Sequence, residues 1–119
     1  MGYDVVDVGE LEGEGPGGTV RKVRRSVGAR AFGFNYFVFP PDHEGHAHDH
    51  AEDNEEEVYF VVKGSGRMRI DDEEVDLRPG RFIRIDPASR RVPVSGPHGL
   101  EFVTIGSPLD RLYEPPSWG

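Results

Sequence analysis

Residues 40–64 read PPDHEGHAHDHAEDNEEEVYFVVKG and carry the strongest signals for both the fold and the chemistry of this chain. The stretch starts with a polar segment that holds four of the five histidines, and it ends in the apolar run VYFVV. In an extended segment alternate side chains point the same way, so His46, His48 and His50 are predicted to share one face. The same alternation puts Glu57 on one face of the following strand with Tyr59 and Val61.

Strand-forming runs recur through the rest of the chain, separated by many of its 16 glycines and 10 prolines. Their spacing of about eight to twelve residues is typical of an antiparallel sandwich or barrel. Very little of the sequence has a helical period. The predicted strands cover residues 5–8, 19–23, 33–39, 58–62, 67–70, 74–77, 82–85, 92–95 and 100–105.

Short glycine- and aspartate-rich segments predict the turns. KGSG at residues 63–66, IDDE at 70–73 and RPG at 78–80 each favour a tight reversal of the chain. SGPHG at residues 95–99 is also predicted to be a turn, which makes His98 a solvated loop residue. Two outcomes stay open for the tail from residue 107. It either packs its aromatic side chains onto the barrel or a second subunit, or it is disordered.

Length and composition predict one domain over residues 1–119, with a barrel core at about 19–106, an N-terminal strand and loop at 1–18 and a tail at 107–119. The absence of cysteine excludes disulfides and thiolate-bound metals. A net charge of -8 argues against a nucleic-acid partner. No signal peptide is visible and no apolar run reaches the roughly 18 residues of a membrane span, so we expect a soluble cytoplasmic protein without a membrane partner.

The histidine-rich stretch resembles the first motif of the cupin superfamily, G-x5-H-x-H-x3or4-E-x6-G. His48 and His50 match its histidine pair, and Glu57 followed by Gly64 matches its end. Asp42 stands in place of the first glycine, and the six residues between His50 and Glu57 are two more than the motif allows.

Glu55 is the alternative choice for the acidic position of this motif. It restores the spacing from the histidine pair, but it puts Val62 where the final glycine belongs. Glu57 is therefore the preferred residue, with the surplus residues accommodated in a longer loop.

The second cupin motif, G-x5-P-x-G-x2-H-x3-N, is largely lost. Gly80 matches its first glycine, whereas the four later positions are Asp86, Ala88, Arg91 and Ser95. The resemblance covers roughly residues 33–106. It implies an all-β fold, an antiparallel double-stranded β-helix that forms a jelly-roll-like cupin barrel, and it implies a homodimer.

The resemblance implies a metal site at His48, His50 and Glu57, with His46 as a further candidate ligand. Imidazole and carboxylate ligands suit a divalent transition metal such as Zn, Fe, Mn or Ni. Arg91, in place of the fourth ligand, cannot bind a metal because its guanidinium stays charged and has no lone pair to offer. Two arrangements remain open. Either Arg91 turns outward or pairs with an acid and the metal binds, or Arg91 or Arg84 pairs with Glu57 and no metal binds.

The predicted function is the binding of a small molecule at the barrel mouth. Tyr59 is a predicted polar contact, and Arg84 or Arg91 would anchor an anionic ligand. Phe37 and Phe82 would supply apolar walls. The alternative is a metal-dependent cupin enzyme of the dioxygenase or isomerase type. No serine lies in a strand–turn–helix elbow, so catalytic residues stay unassigned.

Overall fold

The structure, a computed structural model, describes residues 2–119. Its regular secondary structure is mostly antiparallel strand with little helix, which confirms the predicted all-β class. The elements are β1 (Val20–Arg21), α1 (Val23–Val27), β2 (Gly33–Phe39), β3 (Glu55–Ile70), β4 (Glu73–Leu77), β5 (Phe82–Ile85) and β6 (Arg91–Pro108), preceded by 3-10 turns at Val8–Glu10 and Pro16–Gly18.

Two long strands organise the sheet, whose order is β1-β2-β6-β3-β4 with β5 also paired to β3. β3 and β6 run antiparallel over nearly their whole lengths, from Glu55 opposite Pro108 to Ile70 opposite Arg91. β5 pairs with residues 57–60 of β3, and β4 pairs with residues 66–70. Because successive parts of β3 take different partners, the sheet curls around the core.

The predicted turn at residues 63–66 is wrong, because β3 continues through these residues. The register against β6 shifts between Val61 and Lys63 and again between Gly64 and Gly66, as at β-bulges. β6 likewise continues through the predicted turn at 95–99. Gly64 and Gly99 have φ of 86° and 78°, so the glycines serve to bend two paired strands together. The predicted turns at 70–73 and 78–80 are confirmed.

Gly64→Ala is expected to lower the free energy of unfolding by about 3 kcal/mol or more, as measured by urea denaturation. A Cβ at this position would lie 2.2 Å from the Gly99 carbonyl oxygen, in addition to the cost of the positive φ. Gly80→Ala is the matched control, because Gly80 has φ of 88° but nothing within 4 Å of its Cβ position. It should cost about 1–2 kcal/mol. Equal losses in both variants would contradict the close strand approach.

Alternation along the strands sorts the side chains into an apolar core and an outer face. The core is formed by Phe39, Tyr59, Val61, Met68, Leu77, Ile83, Ile85, Leu100 and Phe102. In β5 the buried residues are Ile83 and Ile85, which leaves Phe82 and Arg84 exposed on the outside. Phe82 packs there against Phe60, with ring centroids 4.3 Å apart and the ring planes tilted by 39°. The homodimer expected from the resemblance stays a prediction.

The N-terminal region differs from its prediction. The predicted strand at 19–23 is reduced to β1, and the chain then turns into α1, which ends at Gly28 in the left-handed conformation. Residues 5–8 form no strand; residues 2–7 are irregular and Val8–Glu10 is a 3-10 turn. Among residues 2–119, no helix is long and apolar enough to cross a membrane.

The C-terminal tail packs onto the barrel, which meets the first of the two open alternatives for Tyr113 but not for Trp118, whose side chain is 71% exposed. The backbone N–H of Leu109 donates to the Asn54 carbonyl, and the Tyr113 ring lies against Gly33 of β2. Lys22 reaches the end of the tail, where its ammonium lies 5.0 Å from the centre of the Trp118 ring. The tail therefore forms one wall of the open end of the barrel.

Candidate metal and ligand site

A cavity of about 560 Å³ opens between the histidine-rich loop, β2, β6 and the C-terminal tail. Its wall includes three histidines, the Glu57 carboxylate and Phe37. The volume suits a small molecule, since ligand pockets typically hold about 300–1,000 Å³.

Backbone pairing holds the histidine-rich loop in place along the start of β6. His48 and Arg91 exchange two backbone hydrogen bonds, of 3.0 and 2.9 Å, and Gly45 donates to the Pro93 carbonyl at 2.8 Å. At the beginning of the loop, the Ser95 hydroxyl accepts from the His43 backbone N–H at 2.7 Å. The loop thus acts as a short extra strand, which fixes His48 directly beside the residue at the fourth-ligand position.

Both central histidines are anchored through Nδ1. Nδ1 of His48 lies 3.0 Å from the His46 carbonyl oxygen, which can only accept, so Nδ1 carries the proton. Nδ1 of His50 lies 3.2 Å from both carboxylate oxygens of Asp53. Nε2 of each ring is then the atom with the free lone pair. A carboxylate or carbonyl on the far nitrogen is the usual way in which metal-binding imidazoles are oriented.

The free Nε2 atoms converge on acidic side chains from β3. Oε1 of Glu57 lies 4.0 Å from Nε2 of His48 and 3.8 Å from Nε2 of His50. Oε2 of Glu55 lies 3.7 Å from the same His50 atom, which is buried without a hydrogen-bond partner among the described residues. Acceptor atoms that face one another in this way repel each other unless a cation or a proton lies between them.

His48, His50 and Glu57 form a group whose ligand atoms all lie within 4.8 Å of one another. His50, Asp53 and Glu55 form a second such group. The first fits a transition metal better, because it offers two imidazoles and its carboxylate is nearly buried. In the second, the Asp53 side chain is half exposed and already holds Nδ1 of His50.

Arg91 is fully buried and lies behind Glu57. Its Nη1 donates to Oε1 of Glu57 at 3.3 Å, and its Nη2 donates to the Asp86 carbonyl at 2.8 Å. The second of the two open arrangements, the one without metal, named this pairing with Glu57; the first, with metal, had Arg91 turn outward or pair with an acid that it did not specify. The Glu57 carboxylate compensates the positive charge of the buried Arg91 guanidinium, which points to this acid rather than into the cavity.

Burial shapes the protonation of the cluster. It lowers the pKa of His48, which keeps the imidazole neutral and able to offer its lone pair. It raises the pKa of Glu55, with the nearby His50 opposing the shift and the negative charge of Glu57 adding to it. It also raises the pKa of Tyr59 well above the usual 10, so the phenol stays protonated beside Glu57.

The structure brings only some of the predicted site residues together. His48, His50, Glu57 and Phe37 line the cavity, and His46 lines it as an exposed residue whose ring stacks at 6.1 Å on that of His48.

The predicted ligand contacts of four residues are corrected. The buried ones, Tyr59 in the core and Arg91 behind Glu57, do not line the cavity. The exposed ones, Phe82 and Arg84, lie on the outer face, where Arg84 pairs with Glu56 and Asp86.

Several cavity residues escaped the sequence analysis, notably Arg24, Asn35, Asp53 and Tyr113. Arg24 belongs to a helix that the predicted strand at 19–23 did not anticipate. Tyr113 comes from the tail, for which packing on the barrel was one of two alternatives. Asn35 lies in a correctly predicted strand, where a lone polar side chain in an apolar run was the available signal.

Comparison with known proteins supports the fold assignment. A family model described as a cupin domain matches residues 35–104, more than half of the chain. A search of curated protein sequences found no significant match.

Three solved structures illustrate the likeness. A cupin protein from Bacteroides fragilis has a TM-score of 0.77 and 19% identity, over 98% of this chain and 92% of that one. A predicted oxalate decarboxylase from Thermotoga maritima has a TM-score of 0.69 and 18% identity, over 87% and 97%. An uncharacterized conserved protein with a double-stranded β-helix domain, from Klebsiella pneumoniae, has a TM-score of 0.69 and 18% identity, over 93% and 97%.

At 18–19% identity, the likeness to these solved structures establishes the fold alone, whereas the match to the family model establishes family membership. The curled antiparallel sheet and the likeness to double-stranded β-helix proteins confirm the predicted jelly-roll architecture. This chain belongs to the cupin domain family.

Proposed function

We propose that this protein binds a small molecule in its cavity beside a divalent transition metal held by His48, His50 and Glu57. The observation that carries the proposal is the convergence of two imidazole Nε2 atoms on one carboxylate oxygen, Oε1 of Glu57, which also accepts from Nη1 of Arg91. Each histidine has its proton anchored on Nδ1, and each Nε2 lies within 4.0 Å of Oε1 of Glu57. A divalent cation at the centre would turn an unfavourable cluster into a coordinated one.

The distances are compatible with such an ion. A four-coordinate ion with bonds of about 2.1 Å keeps its ligand atoms roughly 3.4 Å apart. The two Nε2–Oε1 separations of 3.8 and 4.0 Å therefore require shifts of a few tenths of an ångström, and all three ligand atoms lie within 4.8 Å of one another. The donor set of two nitrogens and one carboxylate suits Zn, Fe, Mn or Ni, and it leaves coordination positions for a ligand.

Arg91 does not oppose the metal as strongly as its charge alone suggests. Its guanidinium donates to Oε1 of Glu57 and to the Asp86 carbonyl, so its charge is partly compensated by the same carboxylate that would bind the metal. Glu55, 3.7 Å from Nε2 of His50, adds a further negative group on the cavity side. The balance favours a cation that binds among the histidines while Arg91 stays in place.

The direct test is the metal content of untagged protein, measured by mass spectrometry after chelator dialysis and reloading with each of the four metals. We expect close to one metal per chain, and we expect His48→Ala and Glu57→Gln to lose it. His43→Ala is the matched control, since His43 packs edge-on against Phe39 and is outside the ligand group. Metal retained by both ligand variants, or no stoichiometric loading with any metal, contradicts the proposal.

A metal-dependent enzyme of the dioxygenase or isomerase type is the second candidate. The observation that favours it is that three protein ligands at the wall of a 560 Å³ cavity leave room for a reactant next to the ion. A bound divalent metal supplies Lewis acidity and open coordination positions for such chemistry. Turnover that depends on Fe, Mn or Ni and is lost in His48→Ala would favour the enzyme over a binding protein.

A further inference from the structure

The cavity also contains a buried cation that pairs with no acid. Arg24, in α1, is 8% exposed and lines the cavity. Among residues 2–119, no carboxylate lies within ion-pair distance of its guanidinium, whereas Arg91, the other deeply buried arginine, pairs with Glu57. A buried charge without a partner is costly, so such a group is normally compensated by an acid or by a ligand.

The hydrogen bonds of Arg24 leave one edge of the guanidinium free. Nη1 donates to the Ala29 carbonyl at 2.8 Å and so fastens the segment that follows α1. Nε is buried without a partner; Nη2 is not one of the buried unpaired atoms, and in the described part of the chain only Nη1 of this guanidinium donates a hydrogen bond. The Nε–Nη2 edge is the side of a guanidinium that binds both oxygens of a carboxylate in parallel.

A second unsatisfied group lies in the same cavity. Asn35 of β2 lines it, and its Oδ1 is buried without a hydrogen-bond donor. Over residues 2–119, four buried side-chain polar atoms lack partners, and three of them belong to the cavity residues Arg24, Asn35 and His50. Buried polar groups are rarely left unpaired, so their concentration in one cavity points to a ligand that supplies the missing partners.

We propose that the cavity binds a small organic acid with a single carboxylate and at least one hydroxyl or amine, and that Arg24 receives the carboxylate through its Nε–Nη2 edge. This inference rests on the small-molecule part of the proposed function but not on the metal. The hydroxyl or amine donates to Oδ1 of Asn35, while the His48, His50 and Glu57 cluster faces the rest of the molecule.

The charge of the cavity favours one carboxylate over a doubly charged group such as phosphate. Its other walls carry Asp53, Glu55, Glu57 and Glu114, and Arg111 is already bonded to the Asp53 carbonyl. Arg24 is thus the cation left to compensate a ligand. The anchor lies on α1, not at Arg84 or Arg91, where the sequence placed it.

The test is a titration with glycolate, acetate and inorganic phosphate at constant ionic strength, fitted for Kd from the NMR signals of the Asn35 side-chain amide and of the backbone amides around the cavity, which every variant keeps; in proteins that keep Arg24, its Nε–H signal is followed as well. Glycolate should bind saturably in the millimolar range, more tightly than acetate, and phosphate should bind more weakly than either. Arg24→Met should weaken glycolate binding by about tenfold or more. Arg25→Met is the matched control, because Arg25 is the next residue of α1 but pairs with Glu14 at the surface, and its Kd should stay within about twofold.

Three results overturn the proposal: no saturable glycolate binding up to about 50 mM, an unchanged Kd in Arg24→Met, or phosphate that binds as well as glycolate. If Arg24→Met does not give a cooperative unfolding transition, Arg24→Lys replaces it. That variant keeps the charge but loses the two-pronged edge, and about threefold weaker binding is expected. Glycolate binding by a protein that takes up no metal would end the metal proposal and leave this one standing; metal uptake without glycolate binding would do the reverse.

Discussion

Replacing Arg91 by methionine is expected to lower the free energy of unfolding of the metal-free protein by about 3–5 kcal/mol, as measured by urea denaturation. The guanidinium is fully buried and compensates Glu57, whose side chain is only 10% exposed. Methionine fills most of the same volume, so the loss reflects a buried carboxylate without its cation. Glu57→Gln in the Arg91→Met background should restore much of the stability, because it removes the orphaned charge.

Arg84→Met is the control for the Arg91 variant. Arg84 also pairs with two acids, Glu56 and Asp86, but it is exposed on the outer face. Water screens such pairs, so no measurable change in the unfolding midpoint is expected. A bound divalent metal should offset part of the Arg91→Met loss, because it supplies another positive charge to Glu57. Equal stability of the Arg91 and Arg84 variants would contradict the role assigned to the buried pair.

Asp53→Ala is expected to weaken metal binding by about 10–100-fold, as measured by competition with a chromophoric chelator. The Asp53 carboxylate lies 3.2 Å from Nδ1 of His50 and fixes the tautomer that leaves Nε2 free for the metal. Without the carboxylate, the ring can rotate or place its proton on Nε2. The loss should appear in affinity, with the stoichiometry still one metal per chain at high metal concentration.

Asp49→Ala separates this effect from a general loss of acidic residues in the loop. Asp49 is exposed, and its carboxylate accepts from the Ala51 backbone N–H at 3.0 Å without contact to a histidine nitrogen. The metal affinity of the Asp49→Ala variant should stay within about twofold of that of the original protein. An Asp53→Ala affinity equal to that of Asp49→Ala would show that Asp53 does not orient His50.

Much of the barrel could be predicted from strand alternation. The periodicity of β3 placed Glu57, Tyr59 and Val61 on one face, and all three are buried. The faces of β5 were harder to assign, because its outer residue Phe82 is as apolar as the buried Ile83. Where both faces of a sheet carry apolar side chains, the pattern separates them into two sets but does not identify the inner one. The ligand contacts predicted for Phe82 and Arg84 failed for that reason.

The candidate metal ligands could be predicted, because they lie close together in the sequence and alternate along an extended segment. Arg24 and Tyr113 could not, since they reach the cavity only when α1 and the tail fold across the open end of the barrel. The glycines at 63–66 were misinterpreted for a different physical reason. A positive φ serves a β-bulge as well as a turn, and the sequence does not distinguish a bend from a reversal.

Anomalous diffraction from a crystal of metal-loaded protein tests the central claim most directly. The account predicts one dominant peak in the cavity, about 2.0–2.2 Å from Nε2 of His48, Nε2 of His50 and a carboxylate oxygen of Glu57, with Arg91 still paired to Glu57. A dominant peak at the His50, Asp53 and Glu55 group, or no peak in the cavity of a fully loaded crystal, would contradict it.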